Sequence, residues 1–137
     1  MYKEVFDLKD NEIEQYKIFV ESADNNSNKR INQNNIYITI EIAIISYLSI
    51  TKLDDLYLYI FCVIGIFISI LWFLTIDNYS KRNKVKYQII NEYEQQKNLN
   101  WFREEEKRIG TLTNLTVLEK ALPIMMFVIF IVIMILK

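Results

Sequence analysis

Glu41 is the residue in this chain whose setting most demands a chemical reason. It lies inside an apolar block from Ile36 to about Leu53. A carboxylate at membrane depth costs roughly 3 kcal/mol on insertion scales, so such groups face a partner, a cavity or a water path. Three readings follow from its place about one and a half turns into the block. It reaches back to the headgroups or a basic residue such as Arg30, it lines a polar path, or it pairs between subunits.

A second pattern is the run Cys62, Gly65 and Ser69 in the next apolar block. These small side chains share one helix face, and small residues let membrane helices approach closely. Packing within the monomer and self-association both remain open for them. A third pattern is the basic cluster Lys81, Arg82, Lys84 and Lys86 directly after that block. Each cation gains about 1 kcal/mol from anionic lipid, and fixing topology is the plain reading. A phosphate-bearing ligand is the sharper alternative, but no glycine-rich cradle accompanies the cluster.

Other chemistry finds little support. The chain has no histidine and one cysteine, which removes disulfide frameworks and histidine-based nucleophile or acid–base machinery. Asn100 is placed to cap a helix beginning Trp101-Phe102, with Glu104, Glu105 and Glu106 in its early turns. Adjacent helical residues point in different directions, so the three glutamates read as a solvated face rather than a metal site. A net charge of −1 argues against a basic nucleic-acid-binding face. No enzyme, cofactor, metal or nucleic-acid partner is expected.

The elements that carry these residues follow from three apolar blocks. A polar arm, residues 1–35, comes first, with Ile13, Tyr16, Val20 and Ala23 on one helix face. The poor helix formers Asn25-Asn26-Ser27-Asn28 predict a break there. Span 1 covers 36–53, the turn Lys52-Leu53-Asp54-Asp55 follows, and span 2 covers the uncharged run 56–76. A polar region, 77–117, leads to span 3 at 118–136, with Pro123 near its start, tolerated in a first turn or kinking the helix. A buried soluble bundle is the competing reading. A chain of 137 residues has little with which to wrap three such helices.

Antiparallel spans 1 and 2 that extend into the cytosol bring Val20 and Ala23 level with Ile89 and Tyr93. Val85, Ile89 and Tyr93 then form the facing stripe of a short coiled-coil stalk. The alternative lays these helices separately on the membrane surface.

Lysine and arginine concentrate in the arm and in the long second loop. The first turn holds Lys52 alone, and the C-terminal end Lys137 alone. The positive-inside rule then predicts a cytoplasmic N-terminus and second loop, with the C-terminus outside. Trp72 and Phe73 are expected at the inner aromatic belt, Tyr57 and Tyr59 at the outer. The polar first thirty residues hold no apolar signal-peptide core, so internal segments are expected to drive insertion.

The order of these features resembles the SLATT class of small bacterial membrane proteins, in the version with an added third span. The resemblance covers roughly residues 16–124. It rests on YKIFVESADNNSNKRINQNN entering span 1, GIFISILWFLTIDNYSKRNKVKYQIINEYE crossing span 2, and WFREEEKRIGTLTNLTVLEKALP entering span 3. Trp72, Tyr79, Asn83, Lys86, Glu94, Trp101 and the stretch Leu118 to Pro123 look like its recurring positions. Glu41 departs from the pattern, which has an uncharged polar residue there. Residues 95–100 also depart from it, standing where a proline-containing break is expected.

The expectation is therefore an all-α integral membrane protein, a single membrane domain over 1–137, with three transmembrane helices and a cytosolic helical stalk. The resemblance implies an oligomeric membrane-perturbing or pore-forming effector of a bacterial conflict or anti-phage system, in the inner membrane. Its implied partners are the lipid bilayer, further copies of itself, and a cytosolic sensor protein or nucleotide signal. The alternative is a non-conducting anchor or assembly scaffold for a cytosolic partner. A phage holin matches in size but poorly in its long cytoplasmic loop and outward C-terminus.

Overall fold

The computed structural model describes residues 2–52, 54–97 and 115–136. These form three helices and no strand: α1 (Tyr2–Ile50), α2 (Asp55–Gln96) and α3 (Leu115–Leu136). The capping Asn100, Trp101, Phe102 and Glu104 to Glu106 lie outside the described residues.

Helix α1 is unbroken through Asn25-Asn26-Ser27-Asn28, contrary to the expected break. Low propensity loses there to tertiary bonding, because Asn26 and Ser27 both find partners on α2. The helix ends at Ile50, where the Thr51 amide and hydroxyl both return to the Tyr47 carbonyl. Helix α2 opens on the other side of the turn, with the Asp54 carbonyl accepting from the Leu58 amide and Asp55 in the first turn. An acid there complements the positive end of the helix dipole.

Along α1, buried and half-buried positions step alternately by four and three residues: 16, 20, 23, 27, 30, 34, 37, 41, 44 and 48. Along α2 they fall at 58, 62, 65, 69, 72, 76, 79, 83, 86 and 90. This is heptad spacing, the pattern of helices that pack side by side over many turns.

Two of the three helices, α2 and α3, are long and apolar enough to cross a membrane. Only 28% of the apolar window of α2 and 11% of that of α3 is buried within the chain. Helices so uncovered are not the core of a soluble bundle. Helix α1 does not qualify, which corrects the expectation of three independent spans. From Ile36 to its end at Ile50 it rises only about 21 Å, short of a hydrocarbon core of about 30 Å, and it carries Glu41.

The chain divides into two compact units, Met1–Lys29 with Lys81–Thr111, and Arg30–Ser80 with Leu112–Lys137. In the second unit, Leu58, Cys62 and Phe130 form the buried cluster, packed by Ile44, Ile45, Leu48, Ile66, Ile133 and Met134. All three helices therefore contribute to that core.

Candidate functional site

The face that the second unit turns inward is unusually polar. Glu41 is fully buried, and the Ser69 hydroxyl donates to its Oε1 at 2.8 Å. Ser69 also approaches the Gly65 carbonyl at 3.0 Å, so one hydroxyl hydrogen serves two acceptors. Among the described residues, Glu41 Oε2 has no hydrogen-bond partner. Two turns along the seam, the Trp72 indole donates to Asn34 Oδ1 at 2.9 Å, and Tyr37 stacks on Trp72 with centroids 5.9 Å apart. The Tyr37 hydroxyl lies 3.2 Å from Thr75 Oγ1.

Each bond answers a burial cost. A polar group taken out of water without a partner loses roughly 1–3 kcal/mol, and more in hydrocarbon, where nothing replaces water.

Two ion contacts hold the start of α3. Lys120 Nζ lies 2.6 Å from Asp77 Oδ1 and sits 5.4 Å over the Phe73 ring. Arg30 Nε approaches Glu119 Oε2 at 3.4 Å, with the two side chains 11% and 14% exposed. The adjacent Glu119 and Lys120 thus hold α3 to α1 and to α2 respectively. Arg30 is turned to Glu119 and not to Glu41, from which it stands about three helical turns away.

The first unit has its own polar seam. Asn26 Nδ2 donates to Asn83 Oδ1, and Asn83 Nδ2 donates to Ser27 Oγ at 3.0 Å. Lys86 donates to the Ser22 carbonyl at 2.8 Å and to its hydroxyl at 2.6 Å. Tyr16 donates to Glu94 Oε1 at 2.9 Å and stacks on Tyr93 at 5.1 Å. Burial, then the bond to Glu94, pushes the Tyr16 phenol up to about 12. Lys97, on the surface, pairs with Glu12 at 2.6 Å, and that contact raises its pKa.

Several expectations are corrected here. Of the proposed stalk stripe, Ala23 is buried and Val20 and Tyr93 are half-buried, but Val85 and Ile89 are 54% and 44% exposed. Positions spaced by four alone drift about 40° per step around a helix of 3.6 residues per turn. The stripe therefore leaves the seam, which runs through Asn83, Lys86, Ile90 and Glu94 instead. Ala23 stands level with Lys86, next to the Ser22–Lys86 bond, and it is Tyr16 that meets Tyr93. Trp72 is fully buried in the seam and not at an aromatic belt.

Cys62, Gly65 and Ser69 are all buried inside the chain. Phe130 lies so close to Gly65 that an added Cβ would clash with its ring. The small-residue face is thus packed within the chain, against α1 and α3. In the basic cluster, Arg82, Lys84 and Lys81 are exposed, and Lys86 is drawn onto Ser22.

One pattern the expectations above did not include lies opposite the seam. Asn32, Asn35, Thr39 and Ser46 are exposed and recur at three-, four- and seven-residue steps, with Ala43 between the last two. At 3.6 residues per turn Asn32, Thr39 and Ser46 lie about half a turn from Asn34, Glu41 and Leu48, on a face shared with Ile36, Ala43 and Ile50, and Asn35 lies at its edge. The Thr39 hydroxyl satisfies itself on the Asn35 carbonyl at 2.8 Å. The exposed surface of this unit is otherwise largely apolar, with Ile40 and Ile42 on α1, Val63, Ile64, Phe67, Ile70 and Leu74 on α2 and Ile124, Met125, Val128 and Val132 on α3. Thr39 and Ser46 were readable as polar residues seven apart within the apolar block, with Asn32 and Asn35 in the arm before it.

No curated protein and no solved structure matches the chain. A family model does match, over residues 13–137, under a description other than that of the SLATT class. The matched region takes in both polar seams, the outward strip and the two apolar helices. The chain belongs to the octameric membrane protein family (8xMP).

Proposed function

We propose that the protein assembles in the bacterial inner membrane as an oligomer that permeabilises the bilayer, a membrane effector and not an enzyme. The observation that carries this reading is the outward strip Asn32, Asn35, Thr39 and Ser46 on α1. Of these, Thr39 and Ser46 lie within the apolar block, where hydroxyls facing hydrocarbon lose their hydrogen bonds to water. Copies that gather around those strips restore that water along a shared axis.

Helix α1 is too polar to enter lipid by itself, and the bonds Asn34–Trp72 and Glu41–Ser69 support its passage alongside α2. The lysine and arginine distribution supports a cytoplasmic N-terminus. The resemblance in feature order to SLATT proteins supports a role in a conflict or anti-phage system, under a cytosolic sensor or nucleotide signal.

Vesicles of phosphatidylcholine and phosphatidylglycerol loaded with carboxyfluorescein test the reading. The purified oligomer should release the dye, and Thr39→Leu with Ser46→Leu should reduce release at unchanged oligomer mass. An octamer that retains the dye makes the strip a dry contact between copies and the protein a non-conducting anchor, the second reading.

A further inference from the structure

We infer that the water path along the α1 strips discriminates solutes by size and scarcely by charge, passing hydrated cations and anions and small neutral solutes alike. This rests on the permeabilising reading and specifies what would pass. Charge selectivity in a pore comes from rings of charged side chains, and the strip supplies none. Between Arg30 and Lys52 the one ionisable carboxylate or cation is Glu41. It is fully buried, turned about half a turn away from the strip and held by Ser69. Between the uncharged Ile36, Ala43 and Ile50 of the same face, the strip presents asparagine amide and threonine and serine hydroxyl. Each type offers both donor and acceptor atoms, and so solvates ions of either sign.

At the outer turn the exposed Lys52 is accompanied by exposed Asp54 and Asp55. Charges of both signs in water are screened over about 8 Å at physiological salt.

The width agrees with weak selectivity. Eight α1 helices at an interaxial distance of about 9 Å stand on a ring of roughly 12 Å radius. Subtracting a helix radius of about 5 Å leaves a lumen about 14 Å across. A hydrated ion crosses such a lumen without shedding its water, so the lining has little hold on its sign.

The test is a planar bilayer recording of the assembled protein under a potassium chloride gradient. The reversal potential should lie near zero, with cation-to-anion permeability within about twofold of unity. Thr39→Glu should turn the path toward cations by about fivefold or more. Ser46→Cys, modified after assembly with anionic sulfonatoethyl methanethiosulfonate, should give the same shift, and it keeps the test decisive should the Thr39 variant fail to insert. The native Cys62 is buried and does not compete for the reagent.

Strong selectivity in the parent protein overturns this inference and leaves permeabilisation standing. So does conduction whose ion preference neither variant moves, because the strip is then not the lining. Absence of any conductance instead removes the reading on which the inference rests.

Discussion

Trp72 donates its indole N–H to the side-chain oxygen of Asn34 across 2.9 Å, and both residues are buried. The bond joins α1 to α2 where neither partner has water to fall back on. Asn34→Ala removes the acceptor and should destabilise the fold by about 1–3 kcal/mol. Adding Trp72→Phe removes the orphaned donor and should recover part of that loss. Thermal unfolding in detergent measures both, and a double variant no better than Asn34→Ala alone shows that the bond is not the source of the effect.

Gly65 makes room for the Phe130 ring. Gly65→Ala should therefore destabilise the contact between α2 and α3 by about 1–3 kcal/mol, the usual range for overpacking. Phe130→Leu in the same chain should relieve the clash. Limited proteolysis of the parent and both variants would report on α3, and equal resistance in all three would place Phe130 elsewhere.

Glu41→Gln keeps a carbonyl oxygen for the Ser69 hydroxyl and should leave dye release and oligomer mass unchanged within about twofold. A marked change in cation leak on this substitution would mean that the carboxylate reaches the water path after all.

Tyr16 supplies a pH signature. Its folded value, about 12, lies above the ordinary phenol range because the ring is buried and bonded to Glu94. A raised phenol value means that the fold favours the protonated form. Its stabilising contribution is complete below about pH 10 and disappears as pH rises through about 12. Ultraviolet difference titration of the parent against Tyr16→Phe should show one tyrosine ionising near pH 12. A difference step at about pH 10, the model-peptide range, would break the link to Glu94.

Apolar runs and charge carried much of the fold into view. The uncharged stretch from Leu56 to Ile76 and the block ending at Leu136 are the two helices fit for a membrane. The turn near Lys52 also separates α1 from α2 as the sequence predicts. The interior was hidden because it is built from the wrong residue types for pattern reading. Asn26, Asn34, Glu41, Ser69, Asn83 and Glu94 are buried, whereas periodicity reasoning looks for apolar stripes and so selects Val85 and Ile89. For Asn34, Glu41, Ser69 and Asn83 the position of each polar residue is legible in its heptad spacing. Its partner, often more than fifty residues away as for Asn26 and Asn83, is not.

The Glu41–Ser69 bond also sets an order of events during synthesis. Its two ends are 28 residues apart, and at about 5–20 residues per second the hydroxyl emerges roughly one to six seconds after the carboxylate. Throughout that interval Glu41 has no Ser69 to receive it, and Asn34 waits longer still for Trp72. The ribosome thus delivers the needy half of the hairpin before the half that satisfies it. Burial of α1 is deferred until both arms exist, and the pair is committed together.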